Sequence, residues 1–258
     1  VLFKSTNEGQ IWQPISGDLT RNDKSKQASS GGPITKDNTS IEYYCTIFTV
    51  MESPVEKGTI WAGSDDGLIH VTRNGGQTWT NVTPKDMPEL GRVSQIDGSS
   101  FDDGTAYVAV KRPLLNDVTP YIFRTHDFGK TWTMVINGIR PNDYVHAVRE
   151  DPARKGLLYA GAQHGMYISY DDGDSWQNFS LNLSDMPISD VMVEGSSIAI
   201  ATHGRSFYVL DNIEAIRQYT PAIASGSEPY LFAPASAIRP GTTVAIRYWL
   251  KQAPKTLN

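Results

Sequence analysis

Three aspartates could supply the carboxyl groups that acid–base catalysis needs: Asp65, Asp66 and Asp143. Hydrolysis of a glycosidic bond needs two carboxyl groups that flank the bond at a separation of about 5 to 9.5 Å. Asp65 and Asp66 are adjacent in an Asp-Asp-Gly turn, and either could face Asp143 or Asp185 if the fold brings distant turns together. The three aspartates are therefore the candidate catalytic residues.

A second set of side chains could bind a ligand without transforming it. Arginine pairs with carboxylates, histidine donates and accepts hydrogen bonds, and an aromatic ring stacks on a sugar or a peptide group. The candidate binding residues are Arg112, Arg140, Tyr144, His164, His203 and Arg205. All six lie in segments predicted to be turns, so the alternative is that they are polar because turns face water.

An eight-residue motif occurs four times and contains four of the six tryptophans. Each copy has Ser or Thr first, Asp or Asn third, Gly fifth and Trp eighth. The Asp or Asn and the Trp of successive copies are Asn7 and Trp12, Asn74 and Trp79, Asp127 and Trp132, and Asp171 and Trp176. Asp and Asn accept hydrogen bonds from their own loop, and Gly adopts backbone conformations closed to other residues. The motif therefore predicts a turn whose tryptophan is buried between neighbouring repeat units.

Calcium-binding loops also combine Asp, Asn and Gly. Such loops direct several carboxylates at one ion, whereas two of the four copies carry Asn at the third position. The pattern favours a structural turn over a metal site. We expect no metal and no cofactor.

Short segments rich in Val, Ile, Tyr and Thr flank the motifs, a pattern typical of β-hairpins. The copies begin at Ser5, Thr72, Thr125 and Ser169, and a four-stranded propeller blade takes roughly 40 to 50 residues. The first interval is longer, because it includes a polar loop at residues 21–40. The predicted inner strands are 46–51, 92–96, 146–149 and 190–193, and the strands that follow them are 59–63, 106–110, 157–161 and 198–202.

Composition narrows the class of protein. The 258 residues carry a formal net charge of −5, which argues against a nucleic-acid-binding surface. No apolar segment approaches the roughly 20 residues needed to span a bilayer. The single cysteine, Cys45, excludes an internal disulfide.

The four motif copies resemble the Asp-box, or BNR repeat, of sialidases, xyloglucan-degrading β-propellers and the sortilin (VPS10) luminal domain. Segments 30–35, 60–67 and 201–212 further resemble large secreted bacterial BNR proteins that are related to sortilin and often labelled glycosyl hydrolases. The resemblance implies an all-β propeller of four-stranded antiparallel blades and a secreted, periplasmic or cell-surface location. The catalytic aspartate motifs of the xyloglucan-degrading relatives and the arginine motif of sialidases are not found in this sequence.

We expect residues 1–213 to form the blades of a partial propeller whose first blade is incomplete. Residues 214–258 are expected to form a linker and the start of a further β segment or β-sandwich domain. A short helix is predicted to begin at Asp211-Asn212 and to run through Arg217, and one strand is predicted over residues 243–250. Other segments or other chains would complete the ring, because an open arc exposes sheet edges.

Three functions remain open on sequence alone. The first is a binding or scaffolding module for a protein, a peptide or a glycan. The alternative is part of a xyloglucanase-like or sialidase-like glycoside hydrolase that acts on polysaccharide, and the third is a purely structural role in an assembly. An enzyme predicts loss of turnover in Asp65→Asn, Asp66→Asn or Asp143→Asn, whereas a binding module predicts altered affinity in His203→Ala or Arg205→Ala.

Overall fold

The structure is a computed structural model that describes residues 1–37, 43–234 and 245–252. It begins with the hairpin β1 (Phe3–Lys4) and β2 (Gln13–Pro14). The first four-stranded sheet contains β3 (Ile47–Glu52), β4 (Ile60–Ser64), β5 (Ile69–Thr72) and β6 (Thr80–Asn81). The second contains β7 (Arg92–Gly98), β8 (Ala106–Arg112), β9 (Asp117–Thr125) and β10 (Thr133–Met134). The third contains β11 (Val145–Glu150), β12 (Leu158–Ala162), β13 (Gly165–Ser169) and β14 (Gln177–Asn178).

A fourth sheet has three strands, β15 (Ile188–Glu194), β16 (Ser197–Thr202) and β17 (Phe207–Asp211). In every sheet neighbouring strands are consecutive in the chain and antiparallel. The pairing of the first two strands contains a bulge at the equivalent place in all four sheets, for example between Val145 and Ala147 and between Ile188 and Asp190. The four sheets are therefore copies of one structural unit.

The sheets pack face to face in chain order, and the apolar core lies between them. One cluster joins the first and second sheets around Trp61 and Phe123, and a second joins the second and third around Tyr107 and Trp176. A third cluster joins the third and fourth sheets around Tyr159. This confirms the predicted all-β fold of propeller blades, and the predicted inner strands match β3, β7, β11 and β15.

The C-terminal part contains the helices α1 (Glu214–Gln218) and α2 (Pro221–Ser225) and the paired strands β18 (Tyr230–Leu231) and β19 (Tyr248–Trp249). The prediction of one strand over 243–250 was too long within the described residues, because only Tyr248 and Trp249 pair with another strand; residues 243 and 244 lie outside the described ranges. Both α-helices are far too short to cross a bilayer. Two 3-10 turns, Lys24–Lys26 and Pro113–Leu115, occur in the loops, and the first lies in the part of the 21–40 loop that is described.

Candidate functional site

The four motif copies fold into turns with the same hydrogen bonds. In the fourth copy, the Ser169 hydroxyl donates to Asp171 at 2.8 Å and accepts from the Gly173 N–H at 2.8 Å, and the Ser175 N–H donates to Asp171 at 2.9 Å. The equivalent three bonds occur in the other copies. Burial acts to raise the pKa of Asp171, but the bonds from Ser175 and Ser169 prevail and lower it. The side-chain oxygens of the motif Asp and Asn residues are therefore hydrogen-bonded within their own loops.

Three motif tryptophans fasten their sheet to the preceding one. Each indole N–H donates to the carbonyl of the residue that directly follows the preceding outer strand. These bonds join Trp79 to Ile15 at 2.8 Å, Trp132 to Val82 at 2.6 Å, and Trp176 to Val135 at 2.9 Å. Trp12 of the first copy is 59% exposed. Among the described residues, no group of three or more His, Cys, Asp or Glu side chains has the geometry of a metal site.

Asp65 and Asp66 lie between the first sheet and the loop before it. The Asp65 carboxylate accepts the N–H of Thr46 at 2.8 Å, and Asp66 accepts the N–H of Arg21 at 2.7 Å. Asp66 is fully buried and Asp65 is 6% exposed. Burial raises the pKa of Asp65, although the hydrogen bonds from Thr46 act to lower it. Both carboxylates therefore hold neighbouring backbone in place.

Asp143 is fully buried at the start of the third sheet. It accepts the N–H of His164 at 2.7 Å and the hydroxyl of Tyr167 at 2.7 Å, and it lies 3.3 Å from the Arg140 guanidinium. Arg140 also donates to the Tyr167 hydroxyl at 3.1 Å and to the His164 carbonyl at 3.0 Å. The His164 ring contacts Asp185 at 2.8 Å, on the solvent side of the turn. The structure thus brings Arg140, Asp143, His164 and Asp185 together and keeps them apart from Asp65 and Asp66, which hold a different sheet.

The remaining predicted binding residues are spread along the same rim. His203 and Arg205 are exposed in the turn between β16 and β17, and the Arg205 N–H donates to the Thr202 hydroxyl at 3.1 Å. The Tyr144 ring packs on the His146 ring at 5.0 Å between centroids. These residues form a polar margin at the ends of the inner strands.

A cleft of about 260 Å³ opens on this face between the first and second sheets. Its cationic residues include Arg92 at the start of β7 and Lys111 and Arg112 at the end of β8, and its apolar wall is formed by Leu90, Pro113, Leu114 and Leu115. Arg112 pairs with Asp117 at 3.4 Å, and its Nε is buried without a hydrogen-bond partner among the described atoms. Among the described residues, neither Arg92 nor Lys111 forms an ion pair. The cleft therefore carries an excess of positive charge beside an apolar surface, because its lining contains four cationic side chains and one carboxylate, that of Asp65.

Lys111 makes its hydrogen bond to a histidine. Its ammonium lies 2.9 Å from Nδ1 of His146, and Nε2 of that ring lies 3.2 Å from the Gln163 side-chain oxygen. Burial, with a contribution from Lys111, lowers the pKa of His146 to about 4, so the neutral ring accepts from Lys111 and donates to Gln163. Burial, reinforced by Arg92, lowers the pKa of Lys111 to about 8.

Sequence reasoning missed Arg92 and His146 as site residues. Both were assigned to inner strands, and the pattern of a strand does not report which of its ends opens into a cleft. A cation or a histidine at the first positions of an inner strand is the signal that could have identified them, because those positions adjoin the rim turns.

A second cluster of ionisable groups lies on the motif side, between the second and third sheets. The Tyr107 hydroxyl donates to Asp172 and lies 3.4 Å from Glu150, and Asp172 also contacts His126 at 3.0 Å. Burial raises the pKa of Glu150, and the carboxylate of Asp172 adds to this effect, against hydrogen bonds from Gly156 and Ser99. Tyr107 is almost fully buried, and Glu150 is 6% exposed. This arrangement ties the second sheet to the third.

No protein-family model matches the chain. Over 116 residues it is 27% identical to an oligoxyloglucan-reducing end-specific xyloglucanase of Emericella nidulans, a match that covers 45% of this chain and 14% of that protein. The fold is similar to that of a GH74 xyloglucanase from Xanthomonas campestris, with a TM-score of 0.58 and 15% identity over 82% of this chain and 33% of that one. It is also similar to an ancestral GH74 enzyme, with a TM-score of 0.55 and 18% identity over 78% of this chain and 24% of that one.

The chain therefore spans a third or less of the length of these proteins. At this level of identity the structural likeness concerns the fold, and it shows that the sheets described above are arranged as they are in the propellers of GH74 enzymes.

Proposed function

We propose that this chain is a ligand-binding propeller module and that its site is the cationic cleft between the first and second sheets. The observation that carries the proposal is the convergence of Arg92, Lys111 and Arg112 on an apolar wall. Partly buried cations cost free energy unless an anion pairs with them. A ligand that joins a carboxylate to an apolar body would neutralise the cations and cover the wall at once.

The placement of the aspartates supports binding rather than hydrolysis at the predicted positions. A catalytic carboxyl group must reach the bond that it cleaves. Asp66 and Asp143 are fully buried, and Asp65 is nearly so. The hydrogen bonds from Thr46, Arg21 and His164 occupy their oxygens.

The rim extends the surface available to a ligand. Tyr144 packs on His146, which contacts Lys111 within the cleft. His164, His203, Arg140 and Arg205 would contact the parts of a peptide, protein or glycan that project beyond the cleft. The proposal includes a location outside the cytoplasm, as the sequence resemblance implies.

Binding is tested by titration calorimetry with tetrapeptides that end in leucine, with free or amidated carboxyl termini, and with oligosaccharides that contain or lack a uronic acid. We expect binding of the carboxylate-bearing ligands and a loss of at least tenfold in affinity in Arg92→Gln, since hydrogen bonds to charged groups contribute about 1.5 to 3 kcal/mol. Arg73→Gln is the matched control, because Arg73 stacks on Phe128 at the motif face. Equal affinity in Arg92→Gln and the native protein would refute the proposed site.

A glycoside hydrolase role is the second candidate, and the similarity to a xyloglucanase over 116 residues favours it. Incubation with xyloglucan, followed by measurement of released reducing ends, tests it directly. Turnover by the native chain that disappears in Asp65→Asn, with an unchanged melting temperature, would establish the enzyme. Absence of turnover together with carboxylate binding would support the binding module.

A further inference from the structure

Trp176 fills an apolar slot between the second and third sheets. Val135, Ile139 and Tyr167 are among the residues that enclose it, and the Trp176 ring is 4% exposed. The indole N–H donates to the Val135 carbonyl at 2.9 Å, and the Trp176 backbone N–H donates to the Asn137 carbonyl at 2.8 Å. Directly after Trp176 the chain forms β14, the outer strand of the third sheet. The slot therefore anchors both a tryptophan and the strand that follows it.

Backbone pairing identifies the equivalent slot between the third and fourth sheets. Ile200 lies opposite Tyr208 in the fourth sheet, as Ala160 lies opposite Tyr167 in the third. Just after β14, the Phe179 N–H donates to the Met166 carbonyl at 2.8 Å. Just after β10, the Val135 N–H donates to the Ile122 carbonyl at 2.9 Å in the same way. Four residues after Phe179, the backbone N–H of Leu183 closes a turn, as the N–H of Ile139 does four residues after Val135. Phe179, Leu183 and Tyr208 thus correspond to Val135, Ile139 and Tyr167.

In the fourth sheet the corresponding position is an open apolar groove. It has a volume of about 180 Å³, and its lining includes Phe179, Leu181, Leu183, Ile200 and Tyr208. Tyr208 is 40% exposed, whereas its counterpart is 2% exposed. After β17 the chain continues through Asn212 into α1 instead of a motif copy. Within the described ranges, β17 has a partner strand on one side only.

We propose that this groove binds the tryptophan of an extended peptide segment from a partner, and that the segment adds to β17 as the fourth strand of the sheet. The three filled slots define the chemistry of the occupant, which is an indole whose N–H donates to a carbonyl, here that of Phe179. Phe207 and Val209 on the open strand are 76% and 61% exposed, so they are available to cover an added strand. Addition of a strand to a free sheet edge supplies main-chain hydrogen bonds, and the pocket for one side chain supplies specificity.

The probe is a fluorescein-labelled nonapeptide with the sequence of residues 172–180, which contains Trp176 and the strand β14. Fluorescence anisotropy with the whole chain should show saturable binding. The same peptide with alanine in place of tryptophan should bind at least tenfold more weakly, because it lacks both the buried ring and the N–H donor. A peptide N-methylated on the strand residues should also lose affinity. Equal binding of the tryptophan and alanine peptides would overturn the proposal.

The variant Leu181→Glu tests whether the peptide binds in this groove, because it places a charge at the rim. Leu181 is 65% exposed, so the fold should tolerate the substitution. We expect at least tenfold weaker binding. Val55→Glu is the matched control, at a residue of the loop between β3 and β4 that is 48% exposed, and this variant should bind the peptide as the native chain does. Unchanged affinity in Leu181→Glu would overturn the assignment of the groove. If sedimentation shows that the peptide dissociates a dimer of this chain, the occupant is a second copy and the proposed partner is wrong.

Discussion

At the scale of single residues, aspartates in this molecule serve chiefly to hold backbone. Asp65 binds the N–H of Thr46, and Asp143 binds that of His164. A carboxylate that accepts backbone N–H groups forms charge-assisted hydrogen bonds, so one buried side chain fixes a loop to a distant strand. In the cleft, Arg112 pairs with Asp117, whereas Arg92 and Lys111 form no ion pair among the described residues. This contrast distinguishes the structural carboxylates from the groups that are free to meet a ligand.

Glu150 provides a pH-dependent test at this scale. Its pKa is raised in the folded protein. At a pH above the pKa that Glu150 has in the unfolded chain, ionisation of Glu150 therefore lowers the free energy of unfolding, and this loss disappears as the pH falls below that pKa. We expect Glu150→Gln to raise the melting temperature at pH 7, with a difference that shrinks towards pH 4. Differential scanning calorimetry across this range measures the effect.

Asp127→Asn is the control of opposite sign. The pKa of Asp127 is lowered despite its burial, by the hydrogen bonds of Thr131 and Thr125, so its charge stabilises the protein at neutral pH and this contribution is lost as the pH falls. Asn occupies the same motif position at residues 7 and 74, so the turn accommodates the substitution. A rise in melting temperature for Asp127→Asn at pH 7 would contradict this account.

The positions of the candidate site residues were predictable only in part. The rim residues, including Arg140 and His203, follow from turn patterns because Gly, Asp and Asn mark the ends of strands. The contact of Lys111 with His146 was not predictable, because it joins the second strand of one sheet to the first strand of the next. Such contacts depend on how the sheets pack, which local pattern does not specify.

At the scale of elements, the motif joins a turn to the neighbouring sheet. Its hydrogen bonds shape the turn, and its tryptophan then reaches the end of the preceding outer strand. The apolar pattern of the strands is strong enough to predict their positions. The short C-terminal strand was predicted poorly because its length is set by a partner, β18, that is distant in sequence.

The motif tryptophans should differ sharply in their contribution to stability. Trp176 is 4% exposed and hydrogen-bonded, so Trp176→Ala should cost about 3 to 5 kcal/mol of unfolding free energy. Trp12, in the same motif position, is 59% exposed, so Trp12→Ala should cost less than about 1 kcal/mol. Urea denaturation followed by circular dichroism compares them, and equal costs would show that the indoles do not act between sheets.

At the scale of the whole molecule, stability should vary along the chain. The inner strands are also tied laterally, since Arg149 bonds Asp97 at 2.9 Å and Asp190 at 3.3 Å and thereby joins the second, third and fourth sheets. The central sheets have neighbours on both faces, whereas the first hairpin and β17 lie at the two ends of the array. Units at the ends of such an array have a neighbouring sheet on one face only, so they should open most easily.

Hydrogen–deuterium exchange read by mass spectrometry checks this expectation. Amides of β8 and β12, which are buried throughout or nearly so, should exchange most slowly, and those of β1, β2 and β17 most rapidly. Binding of the tryptophan peptide should slow exchange in β17 and leave the first hairpin unchanged. Uniform protection along the chain would indicate a single cooperative unit instead.

The bonds from the motif indoles all point the same way along the polypeptide, and each acceptor precedes its donor. Ile15, Val82 and Val135 are translated before Trp79, Trp132 and Trp176, respectively. Each blade that emerges from the ribosome therefore meets a docking carbonyl that is already outside the exit tunnel. The architecture is suited to vectorial assembly, in which the nascent protein adds one blade at a time onto a finished predecessor.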